Sequence, residues 1–235
     1  LDIESSNASV GSGFDLAGRA YQITGTGELD LTSATLNSSA SYSLATADSD
    51  LKINASDATA TAITGSGTVT IANLQGGTDL SNVTAATTVQ LAGNVTFTGT
   101  FNASTAVTFD TNSNGTARTI DITGATNLPS SISVDNDVTL TMTAAQANGL
   151  TATGSGAISI TALHSTLAAD LSGIDTTTTT AAFDDDGTFT GTLDGAVVTV
   201  ATGKTMTVAA NLVAGETVNQ SGSGALAVKI GTADA

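Results

Sequence analysis

The 235 residues include no cysteine, no tryptophan, one proline (Pro129) and one histidine (His164), and only five basic residues stand against twenty-one acidic ones. Each shortage removes a class of function. Without cysteine there can be no disulfide, thiolate metal site or cysteine nucleophile. Without tryptophan, and with Tyr21 and Tyr42 the only tyrosines, there is little ring surface on which sugars could stack. A formal net charge of -16 repels phosphate backbones and anionic membrane surfaces, so no nucleic-acid partner is expected. No apolar run approaches membrane-spanning length, so no transmembrane segment is expected either. The chain opens at Leu1 without a charged-then-apolar leader and reads as a piece of a longer mature protein.

Catalysis needs an acid, base or nucleophile held among partners. His164 has no partner pattern around it, and Arg19, Lys52, Arg118, Lys204 and Lys229 are scattered. The expectation is that the protein is not an enzyme.

What the chain does have is Thr, Ser, Gly, Ala and small aliphatic residues in short alternating segments such as Val69-Thr70-Ile71, Val107-Thr108-Phe109 and Val198-Thr199-Val200. Period-two alternation over a few residues between Gly and Asn turns is a strand signal. A small phrase also recurs, Gly-[Ser/Thr]-Gly followed by alternating apolar residues, starting at Gly11, Gly25, Gly65, Gly154 and Gly222. The likeness extends well beyond the turn. Residues 51 to 74, LKINASDATATAITGSGTVTIANL, lie over residues 140 to 163, LTMTAAQANGLTATGSGAISITAL, without a gap. Further on, DLSNV at 79 to 83 matches DLSGI at 170 to 174, and FTGTF at 97 to 101 matches FTGTL at 189 to 193.

Gly65 to Gly154 is 89 residues and Gly154 to Gly222 is 68. With a rung of about 22 residues these are four turns and three, and residues 110 to 137 supply the extra turn. The predicted fold is therefore all-β, a right-handed parallel β-solenoid (β-helix) with rungs of about 20–23 residues. It forms one segment, 1–235, with internal repeat units at approximately 65–153 and 154–224. Phe97 and Phe189 should both point inward, and the extra rung should bulge at Pro129, because proline cannot donate to a central ladder. The one candidate helix is at residues 143 to 148, and its counterpart at 54 to 59 reads as a loop or a single helical turn.

The acidic side chains are Asp, apart from Glu4, Glu28 and Glu216. That bias suits carboxylates in tight turns, either capping the backbone or binding a hard cation, for which calcium is the natural choice. In DTNSNGTARTID, Asp110, Asn112, Asn114 and Gly115 take the first, third, fifth and sixth places of a calcium loop and Asp121 the twelfth, although Arg118 occupies the ninth. Asp-x-Asp pairs at Asp48/Asp50, Asp135/Asp137 and Asp184/Asp186 repel unless hydrated or bridged by a cation. The candidate metal ligands are thus Asp110, Asn112, Asn114, Asp121, Asp135, Asp137, Asp184 and Asp186.

Through LTMTAAQANGLTATGSGAISI and the DLSNV and DLSGI segments, the chain resembles the Thr/Ala/Gly/Ser-rich, cysteine-free β-solenoid regions of bacterial surface-layer proteins and large secreted repeat adhesins. The resemblance implies an extracellular structural module at the cell surface. Its expected partners are other copies of itself in a lattice or filament, and cell-surface polysaccharide. Such proteins often bind calcium through a Gly-Gly-x-Gly-x-Asp nonapeptide, but the nearest match here, Gly76-Gly77-Thr78-Asp79, lacks the third Gly. The recurrent Thr-x-Thr pairs, among them Thr68/Thr70, Thr96/Thr98 and Thr188/Thr190, leave open a flat binding face for ice or glycan on the same scaffold.

Overall fold

In the computed structural model all residues are described except 1, 13–14, 17, 37–39, 60, 112–114 and 230–235. The chain falls into two compact units, residues 1–138 and 139–235, and each is a stack of parallel strands.

In the first unit the strands Ala8–Ser9, Gly27–Asp30, Ser49–Asn54, Thr68–Ala72, Ala86–Gln90, Ala106–Asp110 and Ser131–Val134 pair in chain order to make a long ladder. A second ladder joins Asp2–Ser5, Ala20–Gly25, Ser41–Leu44 and Ala62–Gly65. As far as Thr68–Ala72 the chain alternates between the two ladders, after which it continues in the long one, and the pairings among these described strands are all parallel. A strand can lie parallel to one a few tens of residues earlier only if the chain has completed a circuit in between, and repeated circuits make a β-solenoid. The turns are uneven: Ile23 faces Leu44, 21 residues on, Leu51 faces Val69 at 18, and Val107 faces Ile132 at 25. The longest of these contains Pro129, which lies just ahead of its strand, so that Ser130 rather than the proline donates to Thr105 O (2.9 Å).

Alternation decides which side chains are buried. Leu51, Val69, Val107 and Ile132 form one inward column and Ile53, Ile71, Val89, Phe109 and Val134 a second, all at most 3% exposed. Thr87 interrupts the first column. Its hydroxyl is buried yet satisfied, because it donates to Ala85 O at 3.0 Å. Between these columns Thr70, Thr88, Thr108 and Ser133 stack on the outer surface in register.

The second unit repeats the plan. Val138–Thr143, all but its first residue in this unit, pairs with Thr151–Leu163, which continues to Ile174–Phe183, Val197–Val200 and Val218–Gln220. Gly187–Phe189, Thr205–Ala209 and Ala225–Lys229 form a separate three-stranded sheet. Thr151–Leu163 is long enough to cover two faces, and its register with the next strand slips between Gly154 and Ala157, where the chain turns the corner.

The internal alignment holds at the level of single contacts. Leu51 faces Val69 and Leu140 faces Ile158, both 18 residues on. The aligned helical stretches are single turns, Ala55–Ala58 and Ala144–Ala147. Only the second carries a capping box, because Thr143 and Gln146 stand where the first has Asn54 and Asp57: the Thr143 hydroxyl accepts from Gln146 N and Gln146 Oε1 accepts from Thr143 N, whereas Asn54 makes no cap bond.

The FTGT segments also match. Phe97 and Phe189 are both fully buried. Thr100 bridges to Asp79 and Thr192 to Asp170. A Cβ on Gly99 would fall on Thr78 O, and one on Gly191 on Ala169 O, so each glycine lets its rung approach the one before. One alignment differs in phase. The Gly25, Gly65 and Gly154 phrases lead into the long ladders, but the Gly222 phrase leads into Ala225–Lys229 in the three-stranded sheet. The 68 residues between Gly154 and Gly222 are therefore not a whole number of turns. The phrase is a corner device that serves more than one face. Gly11 leads into residues 13–14, which lie outside the described residues.

Candidate functional site

The polar chemistry of the chain is concentrated at the corners. Asp and Asn side chains are short enough to fold back on the backbone two residues ahead, and they do so repeatedly. Ser81 N donates to Asp79 Oδ1 (2.9 Å), Ser104 N to Asn102 Oδ1 (2.9 Å), Thr123 N to Asp121 Oδ1 (2.9 Å) and Ser172 N to Asp170 Oδ1 (3.0 Å). The hydroxyl and the N–H of Ser172 together hold the Asp170 carboxyl below its ordinary pKa. Other corner side chains reach the neighbouring rung instead. Asp50 Oδ1 accepts from Thr68 N (3.2 Å), Asn94 Oδ1 from Thr119 N (2.9 Å), Asn148 Oδ1 from Asp170 N (2.8 Å) and Asp186 Oδ1 from Thr205 N (2.7 Å). The Asp bias noted in the sequence thus has a structural use wherever these bonds occur: the carboxylates satisfy N–H groups that a turning strand leaves unpaired.

In the first candidate ion loop, 110 to 121, the first and last residues each end a strand. Asp110 ends Ala106–Asp110 on the long ladder, whereas Asp121 ends Arg118–Asp121, which pairs with Val95–Thr96. Asn112 and Asn114 lie outside the described residues. What the fold brings together is Asp110 and Asp135. Phe109 faces Val134, and Asp135 N donates to Phe109 O (3.0 Å), so the two aspartates follow each other at one corner of consecutive rungs. Partial burial raises the Asp135 pKa above its ordinary value, and the charge of Asp110 raises it further. Asp137, in the same turn as Asp135, has a positive φ of 68° and its carbonyl accepts from Arg118 N (2.8 Å).

The FDDDG turn spreads its three carboxylates over the rungs on either side. Asp184 Oδ1 lies 3.1 Å from His164 Nδ1, and Asp185 Oδ2 lies 3.9 Å from the same nitrogen. Asp185 Oδ2 also accepts from Ser165 Oγ at 2.9 Å. Asp186 turns the other way, toward Lys204 Nζ (3.6 Å) and Thr205 N. Asp184 and Asp186 are therefore engaged by different protein groups. His164 shows no partner pattern along the sequence, yet it meets a partner in space. The signal that would have found one is the interval of one turn between His164-Ser165 and Asp184-Asp185.

Ser49, Thr61 and Thr111 are among the buried polar residues, and a tyrosine hydroxyl is buried as well. Tyr42 is 1% exposed and stacks on Tyr21, with ring centroids 5.7 Å apart, while its hydroxyl finds no hydrogen-bond partner among the described residues. Burial, followed by the nearby Tyr21 and Asp57, pushes its pKa up to about 12. Burial also raises the Asp57 carboxyl, against a bond from Asn54 that lowers it.

Among the described residues no group of three or more His, Cys, Asp or Glu side chains is arranged to hold a metal ion, and no helix is long and apolar enough to cross a membrane. Comparisons with family models, curated proteins and solved structures give no match.

Proposed function

We propose that the chain is a structural module of a secreted bacterial surface protein, placed at the cell surface, that associates with copies of itself in a surface layer or filament or acts as an adhesin stalk. The observation that carries this reading is how the polar corner groups are used. From Asp50 to Asp186 they bind the backbone of their own rung or the next, which is what a stack of rungs held only by its neighbours requires. The proposal gives the chain no catalytic role.

Calcium is proposed as a stabiliser, held by Asp110 and Asp135, where two like charges on consecutive rungs would be relieved by a bridging cation. The remaining ligands there would be backbone carbonyls and water.

A second reading, a binding module for ice or cell-surface glycan, is favoured by the outward column of Thr70, Thr88, Thr108 and Ser133. Sedimentation velocity across a concentration series, with and without calcium, separates the two. Growth into large species supports the structural module. A monomer at every concentration that shows thermal hysteresis or is retained by a polysaccharide column supports the binding module.

A further inference from the structure

We draw no further inference here: the strongest candidate, the outward column of Thr70, Thr88, Thr108 and Ser133 on the long ladder of the first unit, is a stripe of small residues, and nothing in the structure shows what covers it.

Discussion

Asp110 and Asp135 are 25 residues apart in sequence and neighbours at one corner of consecutive rungs, where the charge of the first helps to raise the pKa of the second. A carboxyl whose folded pKa lies above its unfolded value favours the folded state fully at pH below the unfolded value, and that contribution is lost as pH rises through the folded one. At neutral pH the ionised Asp135 carboxylate therefore works against folding. Asp135→Asn should raise the melting temperature at pH 7 by about 1–3 °C, the scale expected for exposed charges in a chain of this size, and the gain should vanish near pH 3. Calorimetry of both proteins across that range checks it; a gain that is independent of pH would point to something other than charge.

Calcium should act at the same corner. In a high-salt background that screens simple repulsion, low calcium should raise the melting temperature of the wild type. Asp110→Ala should remove most of that rise, whereas Asp184→Ala, whose carboxylate faces His164, should leave it in place. A melting curve that does not move on adding chelator would exclude calcium as a stabiliser.

Inward and outward positions should differ sharply in cost. Ile158 is 1% exposed in a core only a few side chains thick, so Ile158→Ala should lose about 2–4 kcal/mol in denaturant unfolding. Thr96 is exposed, and Thr96→Ala should change stability by less than about 0.5 kcal/mol. Equal losses would mean that the strand faces have been assigned the wrong way round.

Much of this was legible in the sequence because a solenoid rung sees only its neighbours, so local alternation and the repeat interval carry most of the fold. The gapless match of residues 51 to 74 with 140 to 163 already implied that Leu51 and Leu140 sit alike, and both face a residue 18 places on. The acidic sites were harder to read. Motif spacing compares residues along one loop, whereas the pairings of Asp110 with Asp135 and His164 with Asp184 lie across one turn whose length varies from rung to rung. The same variation hid the phase of the Gly222 phrase, since equal corners can open onto different faces.

The two FTGT glycines offer a paired test of rung contact. Gly99→Ala and Gly191→Ala should each cost about 1–3 kcal/mol, because the added methyl group meets a carbonyl of the preceding rung. Gly77→Ala, where a Cβ meets nothing within 4 Å, should be close to neutral. If Gly99 and Gly191 differ strongly from each other, the two segments are not structural equivalents.

Tyr42 makes an alkaline prediction. With the folded pKa at about 12 and the unfolded value near 10, its contribution is present below about pH 10 and declines as pH rises toward 12. Tyr42→Phe should remove that decline and, by deleting a buried hydroxyl that has no partner among the described residues, should stabilise the protein by about 1 kcal/mol at neutral pH. Absorbance at 295 nm should show that the component lost in the variant is the one with its midpoint near 12. A midpoint near 10 would mean that the ring is open to solvent.

The claim that the chain is a self-associating structural module is tested most directly by electron microscopy and diffraction of the purified protein, concentrated with and without calcium. The account predicts ordered sheets or filaments that form more readily with calcium, with an axial spacing of about 4.7–4.9 Å from stacked rungs. Dispersed single particles at every concentration, with or without calcium, would contradict it.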